Sequence, residues 1–278
     1  MFDVRTVPTY VINLDHQTQK WNDFQNGFVP LGFSPQRFPA VYGKDFAIED
    51  LIRQGTVDAS VLYTMQNGRY HHANISTMGA IGCYLSHVRL WEQLVNDPNQ
   101  PEMYLIVEDD CGAPTEEVLE QANQYVQDVI NLFERWDVIY LGALDWLAVN
   151  RTSEGYAVTD RIVYVNDMVY GTHAYLLHRE GAKKLLAHAF PIVWQVDSYM
   201  SYQYITGEVK AFRPRTSFFS QMGSYGSSIQ VSDGMNLRPL LTNLSMTTVW
   251  SAIVVGLVCV LFTLSVILLY VIRRSRQH

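Results

Sequence analysis

Hydrophobic residues in the first 222 positions switch between runs typical of strands and the wider spacing typical of helices. Apolar runs bounded by turn residues predict strands at 9–14, 37–41, 104–107, 137–144, 161–165, 171–177 and 210–219. Apolar residues at i, i+3, i+4 and i+7 predict helices over 78–96, 116–133 and 179–189. Trp21, Phe24 and Phe28 recur at helical spacing and predict a further helix that ends before Pro30. Because helices and strands alternate, we predict one α/β domain with a mostly parallel sheet.

Two parts of this pattern carry less information. The run 210–219 contains Pro214, and a proline in a strand indicates an edge position. The stretch from Gly43 to Tyr70 shows no single period and receives no element. The residues that follow, from Met78 onwards, show the clearest helical period in the chain.

A long apolar segment lies near the C-terminus. No charged residue occurs from Pro239 to Ile272. A helix over 249–272 would be about 36 Å long, compared with about 30 Å for the hydrocarbon core of a bilayer. We therefore predict a domain over 1–222, a flexible stem over 223–246, a transmembrane helix over 247–272 and a basic tail over 273–278.

Composition narrows the functional classes. The chain of 278 residues has a formal net charge of −7 and no basic stripe, which argues against a nucleic-acid partner. Its three cysteines show neither the number nor the spacing of a disulfide framework or a zinc finger. An enzyme or a binding domain for small molecules fits these features better.

Three consecutive acids follow the predicted strand 104–107. Glu108, Asp109 and Asp110 repel one another, and a divalent cation, a helix N-terminus or solvent has to neutralise them. Ligands of open α/β sheets bind beyond the carboxyl ends of the strands. If the chain stays extended, Glu108 and Asp110 share one side and Asp109 points to the other. The residues alone leave a metal site and a solvated turn both open.

The sequence resembles glycosyltransferase family 25, which includes bacterial lipopolysaccharide galactosyltransferases and procollagen galactosyltransferases. Seven blocks occur in the order typical of that family. They are YVINLD (10–15), RFPAVYG (37–43), GAIGCYLSHVRLWEQLV (79–95), YLIVEDD (104–110), WDVIYLG (136–142), GTHAYLLHREGAKKLL (171–186) and PIVWQVD (191–197). A weaker match, SQMGSYGSSI (220–229), corresponds to the closing segment of the family.

The resemblance implies a GT-A-like fold and a sugar-transfer reaction. It implies a UDP-sugar donor, UDP-galactose or UDP-glucose, and inversion at the anomeric carbon with Mn²⁺ or Mg²⁺ as cofactor. The acceptor would be a glycan, a lipid-linked sugar or a protein. Glu108 and Asp110 stand where the metal-binding acids of such enzymes belong, and Asp109 is assigned to the nucleotide sugar.

Asp197 and His173 complete the predicted catalytic set. Asp197 matches an acidic position of the last family block and is the candidate base that deprotonates the acceptor hydroxyl. Its alternative role is to cap the helix that follows, since Asp is a preferred N-cap residue. His173 is a candidate metal ligand, and its alternative is a histidine within a core strand.

The predicted nucleotide-sugar contacts come from two other blocks. Asn13 and Asp15 close the first strand, where GT-A folds contact the nucleotide, and a simple strand-end turn is the alternative. Ser86 and His87 form the Ser-His pair of the family. His87 lies at the flank of the apolar face of its helix, so a purely structural role stays open for it.

Two positions depart from the family pattern. The segment after INLD reads HQTQK (16–20) and keeps Lys20 as its single basic residue, and Tyr42 replaces an acid in RFPAVYG. Either change could alter donor choice. Together they leave open an alternative function, a catalytically degenerate fold that acts as a membrane-tethered module for nucleotide-sugar or protein binding.

The membrane topology is predicted from opposing signals. The N-terminus lacks the pattern of a cleavable signal peptide, which favours a domain on the cytosolic side. The tail residues Arg273, Arg274 and Arg276 favour a cytosolic tail instead, which would place the domain on the other side of the membrane. Sequons at Asn74, Asn150 and Asn243 would be available in a lumen. We expect a single-pass protein, anchored at its C-terminus, with a cytosolic domain, and a lumenal domain is the alternative.

Overall fold

The computed structural model describes residues 1–144 and 156–222. Its strands are β1 (Thr9–Asn13), β2 (Pro35–Pro39), β3 (Met103–Glu108), β4 (Cys111–Gly112), β5 (Val138–Gly142), β6 (Tyr156–Ala157), β7 (Ile162–Val165), β8 (Ala174–His178), β9 (Ala211–Pro214) and β10 (Ser220–Gln221). Its α-helices are α1 (Thr18–Phe28), α2 (Ile48–Arg53), α3 (Ser60–Asn67), α4 (Met78–Asn96), α5 (Glu116–Leu132), α6 (Arg179–Ala187) and α7 (Val196–Ile205).

A central sheet of eight strands has the order β2-β1-β3-β8-β5-β9-β7-β6. β1 pairs in parallel with β2 and β3, and β5 pairs in parallel with β9. β8 and β7 run against their neighbours. The remaining six strands therefore share one direction, and the prediction of a mixed α/β fold with a mainly parallel sheet is confirmed.

Both faces of the sheet are buried, and β3 shows why. Its residues Tyr104 to Val107 are fully buried, as a continuous apolar run predicts for a strand covered on both sides. Tyr104 and Ile106 pack into one core with α4, α6 and α7. Leu105 and Val107 pack into a second core with α1 and α5. The domain consists of three layers with the sheet in the middle.

The helix α4 lies beside the candidate site and follows directly from the sequence. Its N-cap residue Thr77 accepts a hydrogen bond from the Ala80 backbone amide at 3.2 Å. Ile81, Tyr84, Val88 and Trp91 form the buried stripe that the helical period predicted. The helix ends at Asn96, before Pro98.

The structure corrects one element and adds others. The predicted edge strand at 210–219 is wrong, because β9 lies between β5 and β7 inside the sheet. Pro214 is the last residue of β9, where its missing N–H does not interrupt the pairing with β5, which involves Ala211 and Phe212. The stretch without an assigned element contains α2 and α3, which attach to the core through Leu51 and Val61.

The predicted stem (223–246), transmembrane helix (247–272) and tail (273–278) all lie outside the described residues. Among the residues that are described, no helix combines the length and the apolar character that crossing a membrane requires. The predicted anchor remains a prediction.

Candidate functional site

The carboxyl ends of β1 and β3 meet at one edge of the sheet, and β8 begins beside them. This edge forms the floor of a cavity of about 430 Å³. The lining residues come from the first strand end, the loop 40–44, α4 and the end of β3. They are Ile12, Leu14, His16, Gln17, Ala40, Val41, Tyr42, Gly43, Lys44, Gly79, Cys83, Ser86, Glu108 and Asp109. The position is that of a ligand site in an open α/β sheet.

Asp109 is held by two residues of the first βα unit. Its Oδ2 accepts a hydrogen bond from Asn13 Nδ2 at 2.7 Å, and its Oδ1 lies 3.4 Å from Lys20 Nζ. Burial raises the pKa of Asp109, while Asn13 and Lys20 oppose that rise. Asn13 and Lys20 therefore offset part of the cost of burying the charge of Asp109. The structure thus brings together Asn13 and Asp109, two residues that the sequence assigned separately to the nucleotide sugar.

Asp15 lies apart from this group. Its side chain is exposed and pairs with Arg37, whose Nη2 is 2.9 Å from Asp15 Oδ1. The Nε of Arg37 also donates to Asn13 Oδ1 at 2.7 Å. Asp15 is not among the described residues that line the cavity, so its predicted contact with the nucleotide remains untested.

Glu108 is positioned by groups from β8 and α4. The Thr172 hydroxyl donates to its Oε1 at 2.6 Å, and His87 Nε2 lies 3.5 Å from the same oxygen. Burial disfavours the charged carboxylate, but the facing imidazole of His87 and the hydroxyl of Thr172 outweigh it, so the pKa of Glu108 is lowered. Glu108 is therefore held as a carboxylate.

Asp110 differs from its two neighbours. Its Oδ2 accepts a hydrogen bond from Gln221 Nε2 at 3.1 Å. Its Oδ1 is buried and accepts no hydrogen bond from any residue in the described ranges. Burial and the charge of Glu108 raise the pKa of Asp110 to about 7. This carboxyl is the least stabilised of the three.

The expected alternation of side chains does not extend through all three acids. β3 ends at Glu108, and Asp109 and Asp110 form a turn. Glu108 and Asp109 consequently line the same cavity instead of pointing to opposite sides. A turn breaks the period of two on which the expectation was based.

The acidic residues fit an Mn²⁺ or Mg²⁺ ion. Carboxylate oxygens are the ligands that these cations prefer. The buried Oδ1 of Asp110, without a hydrogen bond from the described residues, has the environment of an oxygen that a cation would complete. Glu108 and Asp110 are the residues that would hold the ion.

His173 is close to this edge of the sheet, but it does not form a compact cluster of ligand atoms with Glu108 and Asp110. Its Nε2 donates to the Phe219 carbonyl at 2.9 Å, since a carbonyl only accepts. In the part of the chain that the structure describes, one set of three ligand atoms lies within 4.8 Å of one another: those of Cys83, His87 and Glu108. The predicted metal set of Glu108, Asp110 and His173 does not meet that distance and remains a prediction.

Because Gly142 has no side chain, the imidazole of His173 can pack directly against its backbone. A Cβ at Gly142 would overlap His173 Nε2 and lie 2.6 Å from the Phe219 carbonyl oxygen. We expect Gly142→Ala to break the His173–Phe219 hydrogen bond and to destabilise the domain by about 1–3 kcal/mol, as overpacking does. Urea denaturation measures the change.

Gly207→Ala provides a comparison in which backbone strain acts without a steric clash. An added Cβ at Gly207 meets nothing within 4 Å, and the substitution introduces only the strain of a φ of +79°. That strain costs about 1–2 kcal/mol for a residue other than glycine. A Gly142→Ala protein that kept its full wild-type stability would contradict the close approach described above.

Ser86 connects α4 to the cavity wall. Its Oγ accepts from the Val41 backbone amide at 2.8 Å and donates to the Gly82 carbonyl at 2.7 Å. The residue is fully buried although it borders the cavity. The structure therefore gives Ser86 a positioning role for the loop 40–44, and direct contact with a nucleotide sugar remains a prediction.

Ser86→Ala is expected to destabilise the domain by about 1–3 kcal/mol, because it leaves the buried Val41 N–H unpaired. Differential scanning calorimetry measures this loss. Ser34→Ala, at an exposed loop position, serves as the control and should leave the stability unchanged. Equal stabilities of both variants would show that Ser86 does not hold the loop.

Asp197 lies in the first turn of α7 and is not among the described residues that line the cavity. Its Oδ1 accepts from the Ser198 backbone amide at 2.6 Å, and its Oδ2 accepts from the Gly171 amide at 3.1 Å. His72 Nε2 lies 3.5 Å from Oδ2. Gln195 occupies the N-cap position, so the alternative role of Asp197 as the cap of this helix is wrong in detail.

The segment 171–173 joins the predicted catalytic residues. Gly171 binds Asp197, Thr172 binds Glu108 and His173 binds the carbonyl of Phe219. Three consecutive residues thus connect the candidate base to the acidic strand end. This link is not visible in the sequence, because it depends on where β8 enters the sheet.

The two departures from the family pattern meet in the cavity. The rings of His16 and Tyr42 contact each other edge to face, with centroids 5.1 Å apart. Both residues line the cavity. They place an aromatic wall beside the acidic floor.

Sequence reasoning missed two residues of the site. Thr172 orients Glu108, and Arg37 joins Asn13 to Asp15. Both stand inside family blocks, beside residues that were selected, and that position is the signal that could have identified them. Lys20, the single basic residue of the segment HQTQK (16–20), faces Asp109.

The fold and site define an α/β domain that binds its ligand beyond the carboxyl ends of parallel strands, next to clustered acids. Residues 6–200 match the family model described as glycosyltransferase family 25 (LPS biosynthesis protein). The chain belongs to glycosyltransferase family 25.

Curated relatives share this part of the chain. A "Glycosyltransferase 25 family member" of Aedes aegypti is 33% identical over 177 residues, which are 64% of this chain and 27% of the relative. "Procollagen galactosyltransferase 1-B" of Xenopus laevis is 26% identical, covering 70% of this chain and 30% of the relative. "Probable inactive glycosyltransferase 25 family member 3" of Rattus norvegicus is 32% identical, covering 40% and 18%. The chain spans less than a third of the length of these relatives.

Proposed function

We propose that this domain is a metal-dependent, inverting glycosyltransferase that moves a hexose from a UDP-sugar to a hydroxyl of a glycan, lipid-linked or protein acceptor. The cavity bordered by Glu108 and Asp109 at the strand ends carries the proposal. Family membership supplies the reaction class. The name of one relative, a procollagen galactosyltransferase, favours galactose as the sugar.

The cavity has the size and chemistry of a nucleotide site. Its volume of about 430 Å³ lies in the range of about 300–1,000 Å³ that is usual for small-molecule sites. His16 and Tyr42 offer aromatic surfaces against which a uracil ring can stack. Lys44, also in the lining, places a cation within reach of a phosphate.

The residues that would hold Mn²⁺ or Mg²⁺ are Glu108 and Asp110, with His173 as a third candidate. Such an ion would stabilise the charge that develops on the leaving diphosphate. Thr172 and His87 keep Glu108 in place for this task. Gln221 donates a hydrogen bond to Asp110 and helps to fix that side chain.

Asp197 is the proposed base for the acceptor hydroxyl. A single inverting displacement needs one carboxylate that takes the proton as the new bond forms. The backbone amides of Ser198 and Gly171 each donate a hydrogen bond to the side chain of Asp197 and fix its direction. The hydrogen bonds of Gly171 and Thr172 fix the position of Asp197 relative to Glu108.

The experiment that tests this function is a screen of UDP-sugars with the full chain and Mn²⁺, with released UDP as the readout. Water serves as the acceptor in one series, and denatured collagen and simple glycosides serve in the others. UDP release that EDTA abolishes supports the proposal. Absence of turnover with every donor, from a protein that binds UDP, would support the second candidate below.

The second candidate is a membrane-tethered binding module for a nucleotide sugar or a protein. One observation favours it: side chains of the protein itself interact with two of the acids. Asn13 and Lys20 contact Asp109, and Thr172 donates a hydrogen bond to Glu108. These acids can therefore persist without a catalytic metal. The name of the rat relative describes a probable inactive protein, which gives the candidate a precedent in the family.

A further inference from the structure

Cys83 and His87 stand one turn apart on α4, on the side that faces the end of β3. Residues four apart lie on the same face of a helix. One ligand atom each of Cys83, His87 and Glu108 lies within 4.8 Å of the other two. Cys83 borders the cavity, which gives the cluster a path to solvent.

The geometry of His87 and Glu108 is unusual for a hydrogen bond. His87 is fully buried, and its Nε2 makes no hydrogen bond with any described residue. The atom lies 3.5 Å from Glu108 Oε1. In a tetrahedral zinc site with bonds of about 2.0 Å to nitrogen and oxygen, two such ligand atoms are about 3.3 Å apart. The observed separation is close to that ligand–ligand distance.

His87 and Glu108 also form hydrogen bonds with residues outside the cluster. Nδ1 of His87 lies 2.8 Å from the Tyr175 hydroxyl, and that hydroxyl accepts from Trp91 Nε1 at 3.0 Å. Thr172 donates to Glu108. Outer hydrogen bonds of this kind fix the ring orientation and the tautomer of a metal-binding histidine.

We propose that Cys83 Sγ, His87 Nε2 and a carboxylate oxygen of Glu108 form a zinc-binding site, with the fourth position open towards the cavity. A thiolate, an imidazole and one carboxylate are a donor set that favours Zn²⁺ over Mg²⁺ or Mn²⁺. On binding, the thiol proton of Cys83 passes to solvent. The remaining proton of the neutral imidazole resides on Nδ1, where it points to Tyr175.

The site shares Glu108 with the proposed catalytic metal set. Zinc bound to Cys83 and His87 therefore draws on a carboxylate that Mn²⁺ or Mg²⁺ needs, and it inhibits sugar transfer. This consequence rests on the proposed function, whereas zinc binding itself does not. Cys83 is the residue that separates the two sites, since it can bind Zn²⁺ well and Mn²⁺ poorly.

Cobalt substitution tests the binding directly. Co²⁺ takes the place of Zn²⁺ and gives a thiolate-to-cobalt charge-transfer band in the near ultraviolet. We expect the full chain and its Cys111→Ser and Cys259→Ser variants to show this band, and one equivalent of Zn²⁺ to remove it. We expect Cys83→Ser to lack the band and to bind zinc more than about 100-fold more weakly, because even outer-shell changes cost about 10–100-fold.

A band that persists in Cys83→Ser, or no band in folded wild-type protein, would overturn the proposal. Glu108→Gln provides a second variant, for which weaker Co²⁺ binding with the band retained is expected. In a turnover assay, micromolar Zn²⁺ should inhibit the wild-type chain more strongly than Cys83→Ser, each relative to its own zinc-free rate. Because the cobalt measurement needs no activity, failure of the proposed function leaves it interpretable.

Discussion

Replacing Asp110 by Asn is expected to lower metal-dependent turnover of the sugar donor strongly and, at the same time, to stabilise the folded domain. The variant keeps the shape of the side chain and an oxygen for Gln221, but it loses the charge that would bind the cation. Removing one electrostatic contribution to a developing charge lowers turnover by about 10²–10³-fold. Release of UDP in the presence of Mn²⁺ measures this effect.

The expected gain in stability follows from the pKa of Asp110, which burial and the charge of Glu108 raise from 3.8 to about 7. A carboxyl with a raised pKa in the folded state binds its proton more tightly there than in the unfolded state. Its ionisation therefore destabilises the fold as the pH rises from about 4 through about 7. Asparagine cannot ionise and avoids this loss.

The size of the gain can be bounded. A tenfold difference in proton affinity corresponds to about 1.4 kcal/mol. Because Asp110 keeps some contact with solvent, we expect Asp110→Asn to raise the free energy of unfolding by about 2 kcal/mol near pH 8 and by little near pH 4. Urea denaturation in EDTA at both pH values measures the difference.

Glu92→Gln is the control, since Glu92 is an exposed acid of α4 away from the cavity. We expect it to change neither turnover nor the pH dependence of stability. An Asp110→Asn protein with wild-type turnover would remove Asp110 from the metal set. A variant that unfolds more easily near pH 8 would show that its carboxylate is better satisfied than the buried Oδ1 indicates.

Asp197→Asn is expected to lower transfer to the acceptor by about 10²-fold or more, with little change in the affinity for the donor. The amide cannot take the proton of the acceptor hydroxyl. It also presents an N–H₂ group to the Ser198 or the Gly171 amide, two donors that now bind oxygens. One buried amide loses its acceptor, and we expect an additional loss of about 1–3 kcal/mol in stability.

Ser198→Ala distinguishes the chemical role of Asp197 from its structural role. This variant removes the Ser198 hydroxyl, which lies 3.1 Å from Asp197 Oδ1, but keeps the carboxylate and the backbone amide bond. We expect it to retain most of the transfer rate. Steady-state kinetics that separate kcat from KM for the donor provide the measurement. If Asp197→Asn changed only KM for the donor, the residue would belong to the donor site.

Local pattern predicted the elements that carry the site. The apolar run 104–107 is found as Met103–Glu108, and the helix predicted over 78–96 is found as Met78–Asn96. In both cases the residues bury one or two complete faces, so the period of the sequence and the period of the structure coincide. The position of the acids at a strand end followed directly from that agreement.

Pairing between strands was not predictable in the same way. Pro214 suggested an edge, yet β9 lies inside the sheet. A proline affects pairing only through the one hydrogen bond that it cannot donate, and at the last residue of a strand that bond is dispensable. The sequence shows which residue lacks a donor but does not show whether a neighbour needs it.

The sequence by itself determined the α/β class, the acids beyond β3 and the family to which the chain belongs. Only the tertiary structure decided how each acid is balanced: Asp109 by Asn13, which is 96 residues away, and Glu108 by Thr172, which is 64 residues away. Periodicity reports which side of an element is apolar, because burial acts on every residue of that side. Contacts between distant strand ends depend on sheet order and register, which no local pattern specifies.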